Sequence, residues 1–441
     1  MKLNAKRTFL VGLAFMSISA FWNLYDNMVP LILDQTYGLG ETWTGVVMAM
    51  DNIAALVLLP LFGALSDRVG RRIPFILGGS IAAAVLSVVL TAVVGRGVAA
   101  PVQGQGLWAF LLVLALLLVA MGTYRSPAVA LMPDVTPKHL RSKGNAIINL
   151  MGAIGGALML VLPKFMVTRV TTGFGAEVGN YTWLFVTVAV IMIASAVVVK
   201  LVILERKLKA EADAVNEARE AAGNSHQATE TDQGSGRRLG KAELRSLVLI
   251  LLSVFLWYMA YNAITTAFSR YALKVWNIDE GDASFCLLVA TAAAIVSYWP
   301  VGILSSRLGR KKVILAGVVM LATGFGVAAL LDGLSFVSYL LFALVGIGWA
   351  SINVNSYPMV VELATGSDVG KYTGYYYTFS MAAQVLTPVL SGALLEHVGY
   401  WTLFPYSTVM AAGALATMFF VKHGDSKPEA KQGLEALDVE D

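Results

Sequence analysis

The chain has 441 residues, of which 57% are hydrophobic and 14% charged, with a formal net charge of +4 and a single cysteine, Cys286. Ordinary soluble domains carry roughly 25% charged residues, so a set of water-soluble domains is excluded, and one cysteine excludes an internal disulfide framework. Nucleic acid is also excluded as the partner of the positive charge, because the basic residues sit in short segments between long apolar runs.

A hydrocarbon core about 30 Å thick takes about 20 apolar residues per helix. Runs of that length recur at about 8–33, 43–65, 73–95, 107–132, 143–168, 181–204, 246–270, 282–305, 313–331, 335–361, 370–395 and 400–422. The pattern predicts an all-α membrane protein with twelve transmembrane helices in two pseudo-symmetric six-helix bundles. The first run follows Lys2, Lys6 and Arg7 as a signal peptide would, but it continues past Pro30 and reads as a retained helix. Most of the 32 basic residues fall in the N-terminus, the segments around 66–72, 138–143, 205–245 and 307–312, and the tail. The alternate loops keep only Arg96, Lys164, Arg169, Arg270 and Lys274. The positive-inside rule then puts both termini in the cytoplasm of a multi-pass cell-membrane protein, with the basic segments against anionic headgroups of the lipid bilayer.

Between spans two and three lies Gly63-Ala64-Leu65-Ser66-Asp67-Arg68-Val69-Gly70-Arg71-Arg72, and a second version, Gly302 to Lys312, lies between spans eight and nine. Asp67 is replaced by Ser306 in the second copy. Two further features repeat in the same order. Trp22 to Asn27 in span one matches Trp257 to Asn262 in span seven, and Asp134 with Lys143 matches Glu362 with Lys371. Parallel repeats of this kind are a transporter architecture that holds its substrate near the bilayer midplane. Gly63, Asp67, Arg68, Gly70, Arg71 and Arg72, with Asp134, Arg307, Arg310 and Glu362, are the candidate gating residues, their ion pairs closing the cytoplasmic side. The chain divides into a first bundle (1–204), a linker (205–245) with a charged surface helix followed by a disordered stretch, a second bundle (246–422), and a flexible tail (423–441).

Ionisable groups inside hydrocarbon cost about 2.5–3.5 kcal/mol on insertion scales and point to function. Asp26, Asp51 and Arg125 are the three that fall well inside the spans, and all belong to the first half. They are the candidate proton-coupling residues, with the arginine able to exchange partners as a proton or solute arrives. Aromatic and amide side chains on the surrounding spans form the candidate substrate site. They are Trp22, Tyr25, Asn27, Trp257, Tyr258, Tyr261, Asn262, Asn353, Asn355, Gln384 and, from the run Tyr375-Tyr376-Tyr377, Tyr376. Ring faces beside amides suit a sugar, which offers C–H patches and hydroxyls together. Gly152 to Gly156 in span five carry a small-xxx-small spacing that reads as close helix packing. Prolines 30, 60, 127, 163, 300, 358 and 388 read as tolerated kinks. The sequence has no P-loop, no metal-ligand cluster and no nucleophile elbow, and its four histidines are scattered in loops and tails. No enzyme activity, cofactor or metal is expected.

At these residues the chain resembles the major facilitator superfamily over essentially 1–422. Arg68-Val69-Gly70-Arg71-Arg72-Ile73-Pro74-Phe75-Ile76 further resembles the R-x-G-R-R-x-P-[FY]-I stretch of sucrose–proton symporters and the solute carrier 45-like group. That resemblance implies a rocker-switch carrier with cation-coupled uptake of a glycoside. Two departures qualify it. The residues that plant-type sucrose carriers insert before R-x-G-R-R are missing, and Asp51 stands alone where melibiose-type carriers pair two acids, which favours a proton over sodium. The expected function is proton-coupled symport of a mono- or disaccharide by a monomer. The alternative is proton-driven export of drugs or organic cations, which would use the same buried acids.

Overall fold

The structure, a computed structural model, describes residues 4–137, 140–223, 240–361, 363 and 369–423. The stretch of linker expected to be disordered, Glu362, and the tail beyond His423 lie outside the described residues. Twelve helices are long and apolar enough to cross a membrane among them. In chain order the elements are α1 (Ala5–Gln35), α2 (Glu41–Val69), α3 (Ile73–Ala99), α4 (Leu107–Asp134), α5 (Arg141–Val161), the short α6 (Pro163–Met166), strands β1 (Thr168–Thr171) and β2 (Glu177–Asn180), and α7 (Thr182–Val202). After these come α8 (Glu205–Gly223), α9 (Lys241–Lys274), α10 (Glu280–Leu308), α11 (Arg310–Ala328), α12 (Phe336–Val361), α13 (Val369–His397), a 3-10 turn (Tyr400–Thr402) and α14 (Leu403–Phe419).

The chain forms two compact units. One holds Met1–Gly38 and Ile53–Asp232, the other Leu39–Asn52 and Gln233–Asp441, so the first turns of α2 belong with the second unit. In the first unit, α1 packs on α5 through glycines, as the small-residue spacing suggests. A Cβ at Gly155 would run into the Met16 carbonyl, one at Gly156 would sit 2.6 Å from Asn23 Nδ2, and one at Gly12 would sit 2.8 Å from Met151 Cγ. Backbones this close gain dispersion contacts along both helices, which is what holds helices together in lipid. In the second unit Gly346 lies against Ala290, joining α12 to α10. Gly317 and Gly348 each come within 2.7 Å of the other's carbonyl at their Cβ positions, joining α12 to α11.

Several helices run longer than the apolar stretches. α9 has 34 residues, about 51 Å at 1.5 Å per residue, and it carries Arg270 and Lys274 inside its last turns rather than in a loop. Span five is shorter than the hydropathy suggests: α5 stops at Val161, and Pro163 starts the separate α6. The residues after it form an antiparallel hairpin, with Thr168 opposite Asn180 and Thr171 opposite Glu177. The sequence there is Thr-Arg-Val-Thr, then a turn with Gly173 and Gly175, a strand and hairpin composition. The hairpin is docked on its own unit, since Gly173 N–H donates to Val98 O at 2.8 Å and Gly179 N–H to Gln35 Oε1 at 3.2 Å.

Candidate functional site

Both loop copies turn on a glycine with positive φ, Gly70 at 68° and Gly309 at 91°, a conformation that costs glycine nothing. The turn aims Arg72 back at the first copy's own helix ends. Its Nε donates to Asp134 Oδ2 at 2.9 Å, and Nη1 donates to the Gly63 carbonyl at 3.4 Å. Its guanidinium also donates to the Ser66 hydroxyl and the Asp67 carboxylate. Arg72 is buried, Arg71 half-buried, and Arg68 and Asp67 exposed. Burial alone would lower the Arg72 pKa; the hydrogen bonds and charges of Asp134 and Asp67 outweigh it and hold the guanidinium above its ordinary value. A Cβ at Gly63 would meet Ser126 Oγ at 2.9 Å, so this glycine keeps α2 close to α4.

Glu205, in the segment read as linker, has a structural task. Its carboxylate accepts from the backbone N–H of Arg72 and, at 3.1 Å, from that of Ile73. Arg72 and Ile73 open α3, so the first residue of α8 satisfies donors that a helix N-terminus leaves orphaned. The second loop copy is built differently. The Ser306 hydroxyl donates to Ile303 O at 2.7 Å, within its own helix. Lys311, which occupies the place of Arg72, donates to the carbonyls of Phe419 at 2.9 Å and Val421 at 2.6 Å and so closes the end of α14. Arg307 is exposed and Arg310 half-buried.

Of the three charges expected in hydrocarbon, Asp26 is half-buried on α1, Asp51 on α2 and Arg125 on α4. Asp51 accepts from the Asn52 amide at 2.9 Å. The Arg125 guanidinium carbon lies 5.2 Å from the centre of the Trp22 ring, within cation–π range. Trp22 also meets Phe21 and Tyr25 edge-on at 5.3 and 5.5 Å. The first unit thus brings Trp22, Tyr25 and Arg125 into one cluster. Tyr25 and Asn27 are buried, and the Asn27 amide donates back to Asn23 O at 2.9 Å.

The second unit assembles a wall of rings from α9, α12 and α13. Trp349 stacks on Tyr261 with centroids 3.9 Å apart at 7°, and meets Tyr258 edge-on at 5.2 Å. Trp349 was not among the residues singled out from sequence, where it reads as one more membrane aromatic. The Tyr376 hydroxyl is 2.9 Å from Ser356 Oγ and 3.5 Å from the Tyr258 hydroxyl, and its ring meets Tyr357 and Tyr377. Asn355 donates to Ser351 O at 2.9 Å and Gln384 to Ser380 O at 3.4 Å, each four residues back in its own helix. Asn353 is buried on α12. On α9, Trp257 is fully buried, and its indole Nε1, like Asn262 Nδ2, is buried without a hydrogen-bond partner among the described residues.

An acid–base cluster also lies in this unit, built on Arg270 and Lys274, which the sequence alone places in loops, and on Glu41, which it does not single out. Glu41 Oε2 is 3.0 Å from Arg270 Nη1, with side chains 6% and 4% exposed. Glu41 Oε1 is 3.4 Å from Lys274 Nζ and accepts from the Tyr400 hydroxyl. Arg270 also donates to Thr266 O at 3.3 Å. Nearby, Thr42 N–H donates to Glu396 Oε2 at 2.7 Å. The first turn of α2 is therefore fastened to α9, α13 and the 3-10 turn.

Residues 10–275, and again 250–438, match the sequence model of the Major Facilitator Superfamily. The chain belongs to the major facilitator superfamily. It is a multi-pass membrane transporter and not an enzyme. Among its relatives, the multidrug resistance protein MdtG of Escherichia fergusonii is 22% identical over 407 residues, covering 90% of this chain and 88% of that protein. An uncharacterised MFS-type transporter of Mycobacterium tuberculosis H37Rv is 26% identical over 404 residues, covering 87% and 84%. The match to MdtG of Klebsiella pneumoniae is local, 29% over 154 residues, about a third of either chain at 34% and 32%. The fold is shared with a bacterial homologue of the iron transporter ferroportin in an inward-facing state (TM-score 0.65, 12% identity, 95% of this chain and 99% of that one). It is also shared with an auto-inhibited POT-family peptide transporter (TM-score 0.64, 12% identity, 94% and 96%).

Proposed function

We propose that the protein is a proton-coupled exporter of lipophilic, ring-bearing compounds, working by alternating access in a cell membrane. The observation that carries this reading is the Trp349–Tyr261 stack with Tyr258 on its edge. The Tyr376 hydroxyl is paired with Ser356 Oγ, and the Asn355 and Gln384 side-chain N–H groups donate within their own helices. A buried sugar needs a partner for each hydroxyl, whereas a ring-bearing solute needs faces and edges. The name of the MdtG relatives, multidrug resistance protein, supports the same reading. Asp26 and Asp51 are the proton carriers in it, since an acid kept within membrane helices is costly unless used, and Arg125 couples them to the solute. The excess of basic residues in alternate loops puts those loops and both termini in the cytoplasm. Arg72, Asp67 and Asp134 then form the cytoplasmic gate of a first bundle at 1–204, joined through 205–245 to a second at 246–422, in a monomer.

In everted vesicles given an acidic lumen, fluorescent polycyclic compounds should accumulate beyond vesicles lacking the protein, and a protonophore should abolish the difference. Equal accumulation in both refutes the reading. A second reading, proton–sugar symport, is favoured by the stretch from Arg68 to Ile76. Counterflow of labelled sucrose, with alkalinisation of the medium on adding sugar, would put it first.

A further inference from the structure

We propose that α9 and Trp349 form a ligand subsite that takes a planar ring bearing a hydrogen-bond acceptor, such as a carbonyl oxygen, with Asn262 as the donor to it. The inference rests on the export reading and narrows its substrate class. On a helix of 3.6 residues per turn, successive residues are about 100° apart. Trp257, Tyr261, Tyr258 and Asn262 then fall in that order at about 0°, 40°, 100° and 140° around α9. The two tyrosines occupy the middle of that face, which is why Trp349 touches both, stacked on one and edge-on to the other. Trp257 and Asn262 flank them, and each carries a buried N–H group with no hydrogen-bond partner among the described residues.

An orphaned buried polar group is uncommon and needs a reason. Both orphans here are donors, and an indole has no acceptor at all. What would satisfy them is an acceptor. An ammonium group has none to offer and would face the positive ends of these N–H dipoles. A ring with a carbonyl fits both the stack and the Asn262 donor. Trp257 is wholly buried, while Asn262 is partly exposed as a residue, so the ligand's oxygen meets Asn262.

The test uses the full-length protein in lipid nanodiscs and matched ring pairs that differ only in a carbonyl against a methylene: xanthone and xanthene, acridone and 9,10-dihydroacridine, coumarin and 2H-chromene. Affinities are measured by equilibrium dialysis. The carbonyl member should bind about tenfold more tightly than its partner, the usual worth of a buried hydrogen bond that would otherwise be left unmade. In Asn262→Ala, and in the near-isosteric Asn262→Asp, the ratio should fall to about one. In Trp349→Ala both members should weaken together with the ratio kept, and because a ratio within one protein cancels general destabilisation, poor folding of a variant does not mimic the result. Equal binding of the two members by the unaltered protein, or a ratio unchanged in both Asn262 variants, overturns the proposal while leaving the export reading in place. Failure of every ring pair to bind overturns both.

Discussion

Removing one partner of the Glu41–Arg270 pair leaves the other charge stranded in a site where both side chains are at most 6% exposed. In Glu41→Met the guanidinium keeps, among the described residues, only its contact with Thr266 O, at 3.3 Å, while Lys274, at 39% exposed, regains water. Breaking a buried pair from one side costs about 3–5 kcal/mol. The chain offers its own probe, since Cys286 is its single cysteine and is buried in the same unit. If thiol labelling proceeds through opening of that unit, 3–5 kcal/mol corresponds to an acceleration of about two to nearly four decades. Arg270→Met should do the same. The double variant Glu41→Met/Arg270→Met should recover most of the loss, because two apolar side chains of similar volume replace a pair whose desolvation offsets its attraction. Single variants labelled at the unaltered rate, or a double variant as fast as the sum of the two, would refute the argument.

Gly155→Ala drives a methyl group into the Met16 carbonyl, and the yield of folded protein after detergent extraction should drop, whereas Gly78→Ala, with nothing within 4 Å of its Cβ, should be neutral. Tyr37 has its phenol pushed up by burial to about 12 from 10.0. A raised pKa lends stability that is whole below pH 10 and lost as the pH climbs through about 12, so Tyr37→Phe should flatten the decline in stability across that window, followed by thiol labelling or circular dichroism. Asp51→Asn should abolish proton-driven accumulation while downhill exchange of the same compound persists; loss of binding with coupling intact would contradict its role as carrier.

Much of the fold could be read from hydropathy and the repeated loop, because membrane spanning imposes a length and an apolar composition that few other constraints override. The Gly152–Gly156 spacing announced close packing for the same reason, since packing in lipid selects small residues visibly, but not that α1 would be the partner. The helix ends were less legible. Glu41 and Arg270 look like solvated loop residues until a partner 229 positions away neutralises each, and then the helices extend to include them. The hairpin at 168–180 was hidden by the apolar run before it, although its glycines and β-branched residues were in view. At the candidate site the difficulty is orientation. An amide such as Asn27, Asn355 or Gln384 can face a ligand or donate to its own helix four residues back, and composition does not distinguish the two. Trp349 is significant only through Tyr261, a pairing across two helices that no spacing announces.

The grip of Glu205 on the amides that open α3 changes how the middle of the chain can be engineered. With α8 anchored at its first residue, and α9 opened by Gly240 N–H on Glu243 Oε2 at 2.8 Å, each flank of 224–239 carries its own terminal fastening. A fluorescent protein spliced into that stretch should leave Cys286 as slow to label as before. The same insertion ahead of Glu205 should detach the acid from α3 and weaken that helix start by about 1–2 kcal/mol, in the range of a lost cap. The fastened part of the first half thus runs on to Gly223, some twenty residues beyond the point where the apolar runs alone would end it.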